Sequence, residues 1–364
     1  MPAKFKGSDF HLPVMSVDLG FGDALYKYLD EIQSVGIYGN FGPQVTQLEQ
    51  EFAFLLGVDR ETLVSASNAT VALMGAMTVL NVRDWTLPSW TFAATAHAAL
   101  ANRAEFSFAD VSPRDWALSA ASVAPGAGAI ITAPFGSETA IGPEWNHAQA
   151  IVIDAAAAIG SPPRIASQFS KPWASVFSLH ATKLLGIGEG ALVVFSSPEL
   201  ADSFRMWTNF GFSGSRLSQI PALNGKMSEV HGAIGRHRLA AWHIERTEWL
   251  RSRALVHQIG SELGVNPPFS APDWLSPYWI ASFPSAQKKI EVQSALSSNG
   301  VETRDWWGAG CHAMPAFSHI RVADDLAVTE SIASTSLGLP FFRGITDDAL
   351  KLVGDVLADV LSRV

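Results

Sequence analysis

Three short segments carry residues whose types and spacing could do chemistry. In VSASNATVAL (64–73) an apolar run ends in Ser65 and Ser67, and a helix is expected to open near Ala69 and Thr70. The free N–H groups of a helix N-terminus attract anions, and Asn68 and Thr70 can add side-chain donors. The same residues also read as an ordinary N-cap. In AIVIDAAAAIG (150–160), Asp154 follows three apolar residues at an expected strand end, and small alanines come after it. A carboxylate there is costly to bury unless a cation meets it, and a protonated pyridine nitrogen is one such cation. An N-cap on the following helix is the other reading of Asp154.

The third segment, SVFSLHATKLLGIGEGALVVF (175–195), holds Lys183 between an apolar strand and a Gly-rich turn, with His180 as its other basic residue. A lysine held in apolar surroundings loses its proton more easily and becomes a nucleophile. A lone lysine is otherwise a solvated surface charge. Ser178 and His180 lie just before it, within reach of a phosphate or a substrate. The turn GIGEG lacks the G-x-G-x-x-G spacing of a dinucleotide site and does not open the first βαβ unit.

These segments need a scaffold that brings strand ends together. Short apolar runs at 62–66, 105–108, 129–132, 151–153, 174–178 and 191–195 read as strands, most of them followed by turn or capping residues. Strands without strict alternation suit a mostly parallel sheet covered on both faces, with ligands at its carboxyl edge. The stretch 226–255 reads as one or two long helices. After a proline-punctuated segment come an expected strand at 278–283, a helix at 286–298, a short strand at 301–304 and a final helix at 346–361. The pattern predicts an N-terminal arm plus large domain over residues 1–255 and a smaller α+β domain over 256–364.

Composition narrows the partners. A formal net charge of −9 without basic runs argues against nucleic acid. The long uncharged stretches 62–82 and 116–137 are broken by Ser, Asn, Pro and Gly, so neither reads as a membrane span. Residues 1–13 carry no signal-peptide core, and Cys311 is the single cysteine, so a cytoplasmic location is expected. Charged residues are only 16% of the chain, which hints at surface buried between subunits.

Taken in order, the anion site, strand-end acid and lysine resemble the fold-type I enzymes that use pyridoxal 5′-phosphate (PLP). More narrowly, the chain resembles the DegT/DnrJ/EryC1/StrS family of sugar aminotransferases, from about Tyr38 to the C-terminus. The matching pieces are Asn40-Phe41-Gly42-Pro43 with Leu48 and Glu49, then 67–73, 88–95, Asp110, 134–136 and 154–156. They continue through 177–183, 188–190, Asn224 with 227–229, and 300–304 with His312, Pro315 and Phe317.

The resemblance implies an α/β fold with a mostly parallel central sheet flanked by helices. It implies that Lys183 binds PLP as a Schiff base and shuttles the substrate proton, and that Asp154 pairs with the pyridinium. Phe92 would lie against the cofactor face, unless it is core packing. Asn68, Ala69, Thr70 and Ser178 would hold the phosphate, Ala69 through its backbone. Asn224 would reach the cofactor of a neighbouring subunit, so a homodimer with active sites at the subunit interface is expected. His180 and His312 are expected to contact substrate or ring, and no metal is expected. Three departures stand out: Ala157 where many members carry His or Gln near the cofactor's phenolic oxygen, Ala69 for Gly, and Lys226 for Arg.

The implied reaction moves an amino group from L-glutamate to a nucleotide-linked keto sugar, a dTDP-keto-deoxyhexose by the likeness of 154–158 and 303–308. An aminocyclitol precursor is an alternative acceptor. A sugar dehydratase of the same family would carry His where Lys183 stands. A nicotinamide oxidoreductase would need the missing glycine fingerprint, and a sensor domain on this scaffold would need an appended module that neither terminus has room for.

Overall fold

The computed structural model describes residues 11–323 and 325–363; the first ten residues of the expected arm lie outside the described part. Eight strands form the central sheet, in the order β1-β9-β8-β6-β4-β2-β3-β11. They are β1 (Leu63–Ala66), β2 (Asp84–Pro88), β3 (Glu105–Ala109), β4 (Gly128–Thr132), β6 (Ile151–Asp154), β8 (Trp173–Ser178), β9 (Ala191–Phe195) and β11 (Arg321–Val322). The six from β8 to β11 run parallel, and β9 is antiparallel to both β8 and β1. Two small pairs lie apart: β5 (Ala140–Ile141) with β7 (Arg164–Ile165), and β10 (Trp279–Ser282) with β12 (Ser336–Leu339).

Both faces of the sheet are covered, and its strands are therefore apolar throughout. Ile151 and Ile153 of β6 point into one core, with Leu192 and Val194 of β9. Val152 and the β9 residues Ala191, Val193 and Phe195 point into the other. Helices α3 (Ala69–Leu80), α4 (Ala93–Ala101) and α5 (Pro198–Trp207) cover the second face. The first face meets α1 (Asp23–Val35), α2 (Pro43–Leu56) and α6 (Glu229–Glu262). Helices α7 (Ala286–Ser298), α8 (Ala327–Thr335) and α9 (Asp347–Leu361) complete the chain around β10 and β12. Among the described residues no helix is long and apolar enough to cross a membrane.

Local chemistry explains the helix starts. Asn68, Ser197, Ser228, Ser285 and Thr346 each accept a first-turn N–H through the side chain. Helix α2 begins at Pro43, and its open N–H groups are capped from afar. The buried Glu229 carboxylate accepts from Gln44 N (2.7 Å) and Val45 N (3.2 Å). Gly232 lets α2 and α6 approach that closely, since a Cβ there would sit 2.9 Å from Val45 N. Glu49, wholly buried, accepts from the Ser65 N–H and hydroxyl and pairs with Arg60 and Arg205, anchoring α2 to β1.

Two sequence expectations differ from the structure. Strand β2 is central, yet DWTLP was not among the expected strands; its charged start and terminal proline disguise it. The strand expected at 301–304 is instead two isolated bridges, Leu12 to Val301 and Arg304 to Gly338. The segment touches a different neighbour at each end, so no ladder runs along it. The stretch expected as one or two helices is a single helix, ending at Glu262.

Candidate active site

A cavity of about 820 Å³ opens at the carboxyl edge of β6 and β8. Asn68, Ala69, Thr70, Phe92, Asp154, Ser178, His180 and Lys183 all line it. Asn224 and His312 do not. Asn224 is exposed and accepts a hydrogen bond from Lys226 Nζ at 2.8 Å, while His312 Nδ1 lies 2.6 Å from the Ser89 hydroxyl.

One end of the cavity is built for an anion. Helix α3 points its N-terminus into it, where the first N–H groups lack partners within the helix. The Asn68 carbonyl oxygen is committed to Val71 N at 3.0 Å, so its amide N–H₂ remains as donor. Ala69 is the first helical residue, with ordinary right-handed backbone, which is why glycine is not required there. Ser178, the last residue of β8, accepts from His180 N at 3.1 Å and keeps its own O–H proton to give.

The other end is built for a cation. Asp154 ends β6 and is 5% exposed. Burial pushes its carboxyl above the ordinary range, against the pull of the Thr95 hydroxyl, the Ala156 N–H and the Lys183 ammonium. Thr95 donates to Oδ2 at 2.7 Å, and Ala156 N to Oδ1 at 3.2 Å.

Lys183 lies in the loop between β8 and β9. A bridge from His180 to Gly188 closes that loop, and the buried Leu184 and Leu185 root it. Gly188 takes φ +104°, a conformation that other residues rarely adopt, so this glycine shapes the turn that closes the lysine loop. Lys183 Nζ lies 2.7 Å from the Tyr278 hydroxyl. Phe92 sits at the start of α4, is 59% exposed and lines the cavity, so it is not core packing. His180 Nδ1 is 2.9 Å from Thr182 Oγ1, and its Nε2 is 3.8 Å from the Glu189 carboxylate.

Sequence reasoning did not single out Tyr278 or Thr95 as site residues. Tyr278 follows Pro277 far along the chain from Lys183 and carries no local signature, whereas Thr95 ends the 88–95 segment but lies inside a helix, where its type gives no sign of a carboxylate partner. Beside Tyr278, Phe135, Trp306 and Trp307 form an aromatic wall, with the Arg304 guanidinium over the Trp306 ring.

A doubly covered α/β sheet with an anion-binding helix start, a buried strand-end acid and a lysine on one cavity defines a PLP-dependent enzyme of fold-type I. The chain belongs to the DegT/DnrJ/EryC1/StrS aminotransferase family, which it matches over residues 22–358, and it is a PLP-dependent aminotransferase. Protein Rv3402c of Mycobacterium tuberculosis is 29% identical over 351 residues, covering 90% of this chain and 84% of that one. The dTDP-4-amino-4,6-dideoxy-D-glucose transaminase of Shigella dysenteriae is 25% identical over 354 residues, covering 92% and 94%. The solved structure of DesI in the presence of its TDP-sugar product is similar at a TM-score of 0.82 and 28% identity, covering 96% of this chain and 92% of that one.

The residues present fit the cofactor. Asp154 is a desolvated carboxylate in need of a cation, and the α3 N-terminus offers free donors across the same cavity. Ala156 and Ala157 line the same cavity with small side chains.

Proposed function

We propose that this enzyme transfers the amino group of L-glutamate to the keto group of a nucleotide-linked deoxy sugar, a dTDP-keto-deoxyhexose. The observation that carries this reading is the convergence of Asp154, Lys183 and the start of α3 on one cavity with an aromatic wall. Bound PLP supplies an electron sink for the carbon that gains or loses the amine. Asp154 would hold the ring nitrogen's charge, and Phe92 would lie against the ring. Asn68, Ala69, Thr70 and Ser178 would hold the phosphate. Lys183 anchors the cofactor, and its amine then moves the proton at the reacting carbon.

The wall of Phe135, Trp306 and Trp307 supports a sugar poor in hydroxyls, since each buried hydroxyl would need a partner there. Arg304 on the same wall supports an anionic substrate such as a diphosphate. His180 faces the cavity as a substrate contact, whereas His312 would act from behind Ser89. Lys183 itself weighs against the dehydratase alternative.

A homodimer is part of the proposal. Asn224 would serve the partner's cofactor, and its exposure supports that role. So do exposed apolar side chains such as Phe54 (91%), Leu217 (74%) and Phe21 (59%), which a subunit contact would cover. A cytoplasmic location belongs to the same reading.

The test is reconstitution with PLP followed by single-turnover reaction of the glutamate-treated enzyme with a panel of nucleotide keto sugars. Consumption of a dTDP-keto-deoxyhexose supports the proposal. Acceptance of an aminocyclitol precursor alone, or failure of glutamate to discharge the PLP absorbance, overturns it.

A further inference from the structure

Among the described residues, Lys183 is the lysine whose amine hydrogen-bonds a tyrosine hydroxyl. Tyr278 is 8% exposed, its hydroxyl lies 2.7 Å from Lys183 Nζ, and its ring centroid lies 5.1 Å from the same nitrogen. Phe135 and Trp306 pack edge-on against the ring, at 5.6 and 5.0 Å between centroids. The phenol therefore has little freedom to turn away.

The backbone behind Tyr278 is equally held. The Arg253 guanidinium donates to the Tyr278 carbonyl and to the Ser276 carbonyl (3.0 Å). Arg253 is 1% exposed and lies against the rings of Trp274 (4.6 Å) and Phe341 (4.3 Å). Burial pushes it down to about 9, and no carboxylate pairs with it among the described residues. A buried cation spent on two carbonyls is costly, and what it secures is the segment that presents Tyr278. Ser276 adds a hydrogen bond to the Phe135 carbonyl at 2.5 Å, tying the segment to the residue whose ring packs on Tyr278.

We infer that Tyr278 is a positioning residue for the reaction, whose hydroxyl holds the Lys183 amine at the reacting centre in both of its charge states. The inference rests on the proposed role of Lys183. A phenol both accepts and donates. When Lys183 has taken the substrate proton, its ammonium donates to Tyr278 Oη. When it has given the proton up, its lone pair accepts the Tyr278 O–H. The proton moves between carbon and lysine, and Tyr278 keeps its own throughout. Without that hydroxyl the flexible lysine stem samples positions away from the carbon.

The test is Tyr278→Phe, which keeps the ring and its packing. Bound PLP should persist and KM for glutamate stay within about threefold, while kcat falls about 10- to 100-fold. The cofactor-free protein gives an independent reading. Pulse acetylation with acetic anhydride, followed by mass spectrometry, should label Lys183 several-fold faster in the variant, with exposed Lys351 as the unchanged reference. A kcat within about twofold of the parent, or an unchanged Lys183 labelling rate, overturns the inference. Failure of the underlying reading looks different: PLP absorbance would then survive in Lys183→Ala.

Discussion

The Thr95 hydroxyl donates to Asp154 Oδ2 at 2.7 Å, and that bond sets the direction of two more. Thr91 Oγ1 lies 2.8 Å from both Thr95 Oγ1 and Thr132 Oγ1. Each hydroxyl has one proton. Thr95 gives its proton to the carboxylate, so Thr91 donates to Thr95 and Thr132 to Thr91. All three side chains are buried, and their dipoles line up toward one negative charge. This row of hydroxyls offsets part of the cost of burying the Asp154 carboxylate.

Thr95→Val should therefore weaken PLP binding. Losing a hydrogen bond to a charged group costs about 1.5–3 kcal/mol, a rise in Kd of roughly 10- to 100-fold, read by fluorescence titration of the cofactor-free protein. Thr132→Val, at the far end, should cost less. Equal cofactor affinity in Thr95→Val and parent would remove the hydroxyl chain from the account.

Asp154 also predicts a pH dependence of stability. Burial raises the pKa of its carboxyl in the folded, cofactor-free protein, so the fold holds a proton that the unfolded chain releases near the ordinary value of 3.8. Stability from this group is full below that value and is lost as pH rises toward the folded value. Asp154→Asn removes the dependence. The cofactor-free variant should melt higher than the parent at neutral pH, with the difference vanishing in acid, although it no longer supports turnover. A variant that melts lower at neutral pH would contradict the assignment.

Lys183→Ala should lose both the near-visible absorbance of bound PLP and at least about 100-fold of turnover, while the melting curve without cofactor changes little. Retained absorbance after desalting would move the cofactor lysine elsewhere.

Arg253→Met should destabilise the protein by about 3–5 kcal/mol in urea unfolding, because the Ser276 and Tyr278 carbonyls lose their buried donor. A change below about 1 kcal/mol would mean that water replaces the guanidinium there.

The proposed dimer predicts its own measurement. Sedimentation should give twice the chain mass, and Asn224→Ala should keep that mass while PLP dissociates faster. A monomer that turns over at full rate would remove the intersubunit role of Asn224.

Much of this protein was legible in its residues alone, where the signal is local. Ala191–Phe195 is an uninterrupted apolar run and forms the expected strand, and Ser285 and Thr346 mark helix starts by side-chain chemistry. The ordered segments around Asn68, Asp154 and Lys183 determine the family, because each needs only its own strand end or helix start. Tertiary structure alone decided the rest. Strand β2 is recognised by its neighbours β3 and β4 and hardly by its composition. Tyr278 meets Lys183, and Thr91, Thr95 and Thr132 line up on Asp154, only after sheet register and helix packing have placed residues from distant parts of the chain. Propensity and capping act over a few residues, whereas a hydrogen bond between remote side chains depends on every element packed between them.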